Sequence, residues 1–244
     1  MHTPVTQRPQ PQPRPPDDTV PGHIGVILDG NRRWAQQHQL PLDRAYRQGA
    51  LRVRDLLSWC EGAGIPVVTV WALSRGNLGR PPQTITPILD AVTTGLDEIA
   101  ATTKWRIRPI GALDLLPAPQ AVRLNALAQH TAGATGGTLN VAIAYDGRAD
   151  IVAAIQGLLN DRSPETLTDP IDEATLARYL STSGQPDIDL VIRTSGEQRL
   201  SGFMPWQTAH AEFYFCPTPW PDFDQVAFTD ALRWFSGRTR RTGL

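Results

Sequence analysis

The chain has 244 residues, 41% of them hydrophobic, and a formal net charge of -1, so it can bury one domain-sized core but has no general excess of positive charge. The charge argues against sequence-independent binding to nucleic acid, which needs a basic face. The apolar runs are strand-sized, so the sequence predicts neither a membrane span nor a secretory signal, and we expect a cytoplasmic protein without stable membrane insertion.

The type of positively charged side chain restricts the possible functions further. Lys104 is the only lysine, so nearly every positive charge is an arginine, whose planar fork suits bidentate contact with phosphate. The same shortage excludes a phosphate-binding loop of the GxxxxGK type and makes Schiff-base chemistry a poor expectation. The two cysteines, Cys60 and Cys216, are far apart and are predicted to be buried apolar residues without a disulfide or metal role.

In chain order, a proline-rich tail precedes a regular alternation of strands and helices. Residues 1–20 contain almost nothing apolar and predict a disordered tail. Five strands are predicted in the remainder, residues 21–244: HIGVIL, PVVTVWAL, WRIRPI, TLNVAIAY and IDLVIR. Helices are predicted over residues 49–61, 84–100, 121–129 and 149–159. This alternation indicates a single α/β domain with a mostly parallel central sheet flanked by helices.

Three of these strands end in polar clusters, which are residues 29–33, residues 74–77 with Arg80, and residues 193–197 with Arg199 and Ser201. Because ligands bind at the carboxyl ends of parallel strands, the clusters indicate an anion site formed by arginines, close backbone turns and helix starts. The carboxylate of Asp29 suits such a site only if a divalent cation joins it to the anion. Each cluster alone also fits a plain structural role: Asp-Gly-Asn is a common turn, Ser-Gly-Glu can cap a helix, and paired arginines are often solvated. Taken together, they favour a phosphorylated ligand.

Three stretches of the sequence carry a resemblance to a known family. HIGVILDGNRRWA, WALSRGNLGRP and LVIRTSGEQRLSGFMPWQTAHAEFYF with the following WPDF are similar to the signatures of the cis-prenyltransferases, the undecaprenyl diphosphate synthase family. The resemblance covers residues 23–243 and is closest to short-chain actinobacterial members. It implies a homodimer that uses Mg²⁺ to condense an allylic diphosphate with isopentenyl diphosphate, leaving a cis double bond.

The resemblance also implies roles for individual residues. The implied catalytic residues are Asp29, Asn31, Ser74 and Asn77. The implied substrate-binding residues are Gly30, Arg32, Arg33, Trp34, Tyr46, Arg80, Arg193, Arg199, Ser201 and Arg241. Asp29 and Glu212 are the implied magnesium ligands. Residues 29–33 and Arg80 would hold the allylic diphosphate, and Arg193, Arg199 and Ser201 would hold that of isopentenyl diphosphate.

Several positions depart from the family pattern. Tyr46 stands where the family usually has a histidine, so an imidazole cannot transfer a proton there. Gly76, Leu78 and Thr84 replace an acidic residue, a tryptophan and a glutamate in the middle signature. These changes leave the ionisation residues in place, but they leave open whether the second half-reaction is the standard one.

Alternatives therefore stay open. An irregular synthase of the lavandulyl type would join two allylic units head-to-middle. A non-catalytic partner subunit is disfavoured because Asp29, Arg193, Arg199 and Glu212 are all retained, and a nucleotide-binding module because GxGxxG is missing.

Two further expectations concern size. A product of ten or fifteen carbons is expected, with Trp71 and Leu73 beside the site and a floor formed by Ile88, Leu89 and Val92, although Ala72 is typical of long-chain members. The aromatic block 203–221 predicts a dimer interface, because it is richer in aromatics than one edge strand should expose.

Overall fold

The computed structural model describes residues 19–238, so the predicted tail up to residue 18 and the predicted substrate residue Arg241 lie outside the described part. One sheet contains six strands: β1 (His23–Ile27), β2 (Val67–Ser74), β3 (Trp105–Ile110), β4 (Gly137–Tyr145), β5 (Leu190–Arg193) and β6 (Glu212–Phe215). Their order is β3-β4-β2-β1-β5-β6, and every neighbouring pair is parallel. The predicted α/β domain with a parallel sheet is therefore confirmed, and in the described range the sheet is wholly parallel.

The described range contains seven α-helices: α1 (Asn31–Gln37), α2 (Leu42–Gly62), α3 (Pro82–Ala100), α4 (Ala118–His130), α5 (Gly147–Asn160), α6 (Glu173–Ala177) and α7 (Gln225–Ser236). The four helices predicted after residue 48 correspond to α2 to α5. Helix α7 was not among the predicted helices, although Asp224 caps it and Phe228 and Phe235 are buried along one side of it.

The start of α2 differs most from the sequence prediction. The helix begins at Leu42, directly after Pro41, rather than at Gly49. Gly49 lies inside this helix. A larger residue does not fit there, because a Cβ would lie 2.7 Å from Oδ1 of Asn31 and 3.1 Å from the indole of Trp220. The glycine therefore marks a close approach of α2 to the turn after β1, not a helix boundary.

The sheet separates two apolar clusters. The larger one joins β1, β2 and β4 to α2, α3, α4 and α7, and includes fully buried Val26 and Val70. The smaller one lies on the opposite face, where Ile27 and Trp71 pack against Phe203 and Met204. No helix in residues 19–238 is long and apolar enough to cross a membrane. Because the strands are covered on both faces, their polar ends are the natural place for a site.

Candidate active site

A cleft of about 710 Å³ opens at the carboxyl ends of β1, β2 and β5. It brings together the three polar clusters that the sequence pattern singled out. The predicted site residues that line it are Asp29, Gly30, Asn31, Arg32, Arg33, Tyr46, Ser74, Asn77, Arg80, Arg193, Arg199 and Ser201. The parallel register produces this arrangement, since Ile27 of β1 lies beside both Trp71 of β2 and Arg193 of β5.

An ion pair between Asp29 and Arg193 lies at the centre of the cleft. Nη2 of Arg193 donates to Oδ2 of Asp29 at 2.8 Å, and Nη1 donates to Oγ of Ser201 at 3.0 Å and to the carbonyl oxygen of Arg199. The Arg193 side chain is only 5% exposed, whereas that of Asp29 is 30% exposed. The guanidinium is therefore fixed by several acceptors, while one edge of the carboxylate faces the cleft.

Buried Thr194 fixes the backbone beneath this pair. Its hydroxyl donates to the carbonyl oxygen of Asp29 at 2.8 Å and accepts from the amide of Asp29 at 3.0 Å. Trp220 adds a backbone hydrogen bond to the same carbonyl oxygen at 2.9 Å. Asp29 is thus held from two sides, which limits the positions that its carboxylate can take.

Two further arginines of the cleft, Arg33 and Arg199, each form an ion pair with the carboxylate of Glu197. Arg33 lies 3.5 Å from Oδ1 of Asp29 and 3.6 Å from Oε1 of Glu197. Glu197 also pairs with Arg199. Because Arg33 and Arg199 are about half exposed or more, their pairs with Glu197 are weak and solvated, and an anion with several oxygens can compete for both.

The turn after β1 allows close contact between the backbone and neighbouring groups. Gly30 has φ +105°, and a Cβ there would lie 2.8 Å from Oγ of Ser195 and 2.9 Å from Cβ of Pro219. Asn31 then begins α1 and donates through Nδ2 to the carbonyl oxygen of Leu28 at 2.9 Å, whereas its Oδ1 is buried without a partner in the described residues. A substrate or water must supply that oxygen with a donor if it is to be satisfied.

The third cluster covers the other side of the cleft. Oγ of Ser74 accepts from the amide of Asn77 at 3.2 Å and begins a 3₁₀ turn over Arg75–Gly79. Tyr46 faces this cluster from α2. Burial raises the pKa of the Tyr46 phenol above its usual value, although the charges of Arg80 and Arg32 partly oppose the rise. The phenol therefore stays protonated at neutral pH and can donate a hydrogen bond.

The cleft adjoins an apolar pocket between α2, α3 and the sheet. The two share Leu28, Asn31, Tyr46, Ala72 and Ile88 in their walls. The remaining pocket walls are formed by Gly49, Ala50, Val53, Val70, Ala91, Val92, Gly95, Leu96, Ile99, Val141 and Trp220. The pocket has a volume of about 70 Å³. A ligand with a polar head in the cleft can thus extend an apolar chain between the two helices.

The structure separates the residues predicted to form the floor of this pocket. Ile88 and Val92 line the pocket, but Leu89 does not and is buried in the core instead. The helical period explains the difference, because positions 88 and 92 lie on one side of α3. Trp71 and Leu73 line the polar cleft, as predicted for residues beside the site.

Two predicted site residues do not reach the cleft. Trp34 is buried against Ala35 and Ala45, with its ring stacked 4.4 Å from that of His38. Glu212 begins β6 and lies in register with Leu190, so it occupies the opposite end of the strands from Arg193. Its carboxylate accepts from Arg238 at 3.1 Å. Within one chain, Glu212 is therefore not a neighbour of Asp29.

Asp146 lies outside the predicted polar clusters, whereas Thr194 and Glu197 belong to the predicted cluster 193–197 but had no individual role assigned. Asp146 follows β4 directly and precedes a glycine, as Asp29 does after β1, so the same strand-Asp-Gly pattern could have identified it. It also caps α5 by accepting from the amide of Ala149 at 3.0 Å. The site roles of Glu197 and Thr194 depend on long-range contacts that sequence spacing does not reveal.

The chemistry of the cleft fits a magnesium ion only together with a ligand. The residues described contain no group of three or more His, Cys, Asp or Glu side chains able to hold a metal. Asp29 offers one partly exposed carboxylate among guanidinium groups. Magnesium commonly binds through one or two carboxylates and completes its shell with water and phosphate oxygens. The residues present therefore fit Mg²⁺ bound jointly with a diphosphate.

Comparison with known proteins connects this geometry to a family. The Prenyltransf family model, which describes undecaprenyl diphosphate synthase, matches residues 27–243. An isoprenyl transferase of Streptomyces avermitilis is 44% identical and the match covers 93% of this chain and 90% of that protein. A (2Z,6E)-farnesyl diphosphate synthase of Thermobifida fusca is 44% identical, with 91% and 90% covered. A short-chain Z-isoprenyl diphosphate synthase of Mycobacterium leprae is 43% identical, with 93% and 89% covered.

A solved structure extends the match to three dimensions. Lavandulyl diphosphate synthase from Lavandula x intermedia, in complex with dimethylallyl diphosphate, superposes with a TM-score of 0.87 at 30% identity, covering 93% of this chain and 99% of that one. The family model matches the last residue of β1, the other five strands and the three polar clusters at the carboxyl edge of the sheet. With the model match spanning nearly all of the described chain, the protein belongs to the undecaprenyl diphosphate synthase family of prenyltransferases.

Proposed function

We propose that this chain condenses an allylic diphosphate with isopentenyl diphosphate, releases inorganic diphosphate and forms a short-chain cis-prenyl diphosphate. The observation that carries the proposal is the continuity of an arginine-lined cleft with an apolar pocket. One compartment suits a diphosphate and the other suits a hydrocarbon, as an isoprenoid diphosphate requires. The relatives named as short-chain and farnesyl diphosphate synthases act on substrates of the same kind.

The reaction begins with departure of the allylic diphosphate. Arg33 and the amides at the start of α1 bind the leaving group, and Arg80 with the Tyr46 phenol supports it from the opposite side. These donors stabilise the negative charge that the leaving group carries away. Asp29 would hold Mg²⁺ jointly with the diphosphate, and the bound ion would supply further Lewis-acid neutralisation of that charge. The apolar walls of the pocket exclude water from the allylic cation.

The second diphosphate occupies the side of the cleft formed by the end of β5. Arg193 is already aligned by Asp29 and Ser201, and Arg199 adds a second guanidinium. Ser74 and Asn77 line the cleft near the proposed boundary between the two substrates, and Asn31 lines both the cleft and the apolar pocket. The double bond of isopentenyl diphosphate attacks the allylic carbon, and loss of a proton from the resulting cation restores a double bond in the product.

The size of the apolar pocket supports an early stop. A pocket of about 70 Å³ must widen by movement of α2 and α3 before a prenyl chain can enter, and each further five-carbon unit requires more of that movement. Ala50 and Gly95 bring these helices into close contact, because a Cβ at Gly95 would lie only 2.9 Å from that of Ala50. We infer a product of ten or fifteen carbons.

An irregular condensation is the second candidate, and the likeness to lavandulyl diphosphate synthase is the observation that favours it. That enzyme is 30% identical, whereas the relatives with farnesyl and short-chain Z-isoprenyl names are 43 to 44% identical. The arginines and serine proposed for isopentenyl diphosphate are all present in the cleft. The regular head-to-tail reaction is therefore the first candidate.

Product analysis separates the two candidates. Purified enzyme with Mg²⁺ is incubated with isopentenyl diphosphate and one allylic primer at a time, of five, ten or fifteen carbons. A further incubation contains the five-carbon allylic substrate alone. The products are identified by mass spectrometry and by their double-bond geometry. We expect cis products of ten or fifteen carbons. A branched ten-carbon product from the five-carbon allylic substrate alone would establish the irregular reaction, and products of fifty or more carbons would contradict the short-chain assignment. A matched incubation with EDTA tests the requirement for Mg²⁺.

A further inference from the structure

Trp71 lies on a different face of the sheet from the apolar pocket. In register across the strands it is next to Ile27 of β1 on one side and to Ala142 of β4 on the other. Ile27 is in turn next to Arg193 of β5. Side chains in register on parallel strands point to the same face, so Arg193, Ile27 and Trp71 form a row across the sheet.

This row extends from the cation of Arg193 to an aromatic surface. Two strand spacings separate Arg193 from Trp71, a distance of about 10 Å between their backbones. Both side chains line the cleft, and Ile27 lines it between them. By contrast, Ala72 faces the opposite side and belongs to both the cleft and the apolar pocket. The cleft therefore borders the apolar pocket on one face of the sheet and the ring of Trp71 on the other.

The indole of Trp71 is held in position by packing. Its ring stacks on that of Phe203, with centroids 5.5 Å apart and planes inclined by 26°. Phe203 is fully buried and pressed against β1, where a Cβ at Gly25 would lie 2.8 Å from its ring. Trp71 cannot retreat towards Phe203 without disturbing this contact. The Trp71 N–H has no acceptor among the described residues, so stacking rather than a hydrogen bond determines the position of the ring.

We propose that Trp71 is the specificity-determining residue for the second substrate. Its indole forms the apolar surface against which the five-carbon chain of isopentenyl diphosphate lies while Arg193 binds the diphosphate. This inference rests on the proposed function and adds the determinant of acceptor size. Because Phe203 fixes the indole from behind, the ring limits the volume beside the acceptor and excludes chains with larger substituents.

The test compares two Trp71 variants with a matched control. Trp71→Ala removes the surface, Trp71→Phe keeps an aromatic ring but removes the N–H, and Trp59→Ala removes another part-buried tryptophan. Trp59 packs on Phe223 and Phe228 and does not line the cleft. Steady-state kinetics are measured with isopentenyl diphosphate and with its homologue that carries an ethyl group in place of the C3 methyl.

Removal of the indole should weaken acceptor binding and relax its selection. For Trp71→Ala we expect KM for isopentenyl diphosphate to rise about tenfold, with KM for the allylic substrate changing less than about threefold. The preference in kcat/KM for the natural acceptor over the ethyl homologue should fall about tenfold, and this ratio does not depend on the folded fraction. Trp71→Phe and Trp59→Ala should retain the wild-type ratio.

Three results would overturn the inference. An unchanged acceptor ratio in Trp71→Ala shows that the indole does not limit the acceptor, and an equal ratio change in Trp59→Ala shows a general structural effect. A ratio for Trp71→Phe as low as that for Trp71→Ala assigns the effect to the N–H rather than to the apolar surface. If any of these results is obtained while the wild-type enzyme is active, only the role of Trp71 is refuted and the proposed function is retained. Wild-type enzyme that is inactive with both acceptors would overturn both proposals.

Discussion

Asp29 places its carboxylate in contact with two guanidinium groups of the cleft, and one of them, that of Arg193, is only 5% exposed. It lies 2.8 Å from Arg193 and 3.5 Å from Arg33, and the hydroxyl of Thr194 binds its backbone. For anion binding alone, a carboxylate in this position would be unfavourable, because it repels phosphate oxygens. Joint binding of a cation and a diphosphate removes that conflict.

Replacement of Asp29 should therefore affect turnover far more than folding. We expect Asp29→Ala to lower kcat by on the order of a hundredfold or more, since charge neutralisation at the leaving group is lost. The far-ultraviolet circular dichroism spectrum should be unchanged. Asp55→Ala provides the control, because Asp55 pairs with Arg52 at 3.0 Å outside the cleft. Near-wild-type activity of Asp29→Ala in Mg²⁺ would refute the assigned role.

The buried imidazole of His23 makes the free energy of unfolding depend on pH. It is fully buried, and burial lowers its pKa from 6.5 to about 4. The Pro186 carbonyl oxygen, 2.8 Å from Nδ1, can only accept, so Nδ1 carries the proton and Nε2 accepts from Thr69 at 2.8 Å. Asn140 in turn donates to Thr69. The folded state thus favours the neutral imidazole.

Acidification should therefore destabilise the fold through His23. The unfolded chain takes up the proton near pH 6.5 but the folded chain only near pH 4, so this contribution is complete above the higher value and is lost as the pH falls towards the lower one. The loss in the free energy of unfolding amounts to about 3 kcal/mol. Urea unfolding across this range should be less pH-dependent in His23→Gln. An equally steep dependence in that variant would assign the effect to other groups.

At the scale of elements, α3 decides how far a hydrocarbon can extend. Its pocket-facing residues include Ile88, Ala91, Val92, Gly95 and Leu96, which follow the helical period. The shared walls of the cleft and the pocket place Ile88 nearest the polar head and leave Val92 and Leu96 farther along. Bulk on this side of α3 therefore opposes further chain growth.

Removing that bulk should lengthen the product. We expect Ile88→Ala and Val92→Ala to add at least one five-carbon unit without abolishing turnover, because each opens apolar volume next to the growing chain. Leu89→Ala is the control, since Leu89 is buried in the same helix without lining the pocket. It should lower the melting temperature and leave product length unchanged, as judged by mass spectrometry. Lengthening by Leu89→Ala alone would contradict the assignment of the pocket.

At the scale of the whole molecule, β6 is one of the two edge strands of the sheet in the described chain, and β3 is the other. The aromatic block divides there. Trp220 is fully buried in the core, whereas Phe213 and Phe215 are half-buried on β6 with ring centroids 6.5 Å apart. Core packing explains part of the aromatic content, and the half-buried pair remains available for a second subunit. Such an edge is a natural surface for pairing.

Dimerisation remains a prediction that light scattering can test. We expect a particle of twice the chain mass of 26.8 kDa at micromolar concentration. Phe213→Asp should shift the equilibrium towards the monomer, because it buries a charge in the proposed interface. Val122→Asp, at a site 68% exposed on α4, should leave the dimer intact. A wild-type monomer would refute the prediction.

The metal role of Glu212 and the substrate role of Arg241 also stay predictions, because Glu212 is distant from Asp29 within one chain and Arg241 lies outside the described residues.

By itself, the sequence determined the class of the fold and the composition of the site. The alternation of β-branched runs and amphipathic segments identified β1 to β5 and the parallel sheet, because strand and helix periods are local properties. Polar residues at the carboxyl ends of β1, β2 and β5 predicted the edge at which the cleft lies, since parallel strands end on one side. The family signatures added the chemistry that these residues serve.

Only the tertiary structure decided which side chains meet. It separated Glu212 from Asp29 through the register of β5 and β6, and it buried Trp34 between α1 and α2. It made Gly49 a contact point rather than the start of a helix, and it decided that Trp71 packs against Phe203 whereas Ala72 lines the apolar pocket. Such outcomes depend on the register and packing of segments far apart in the chain. Local periodicity contains no information about those long-range contacts.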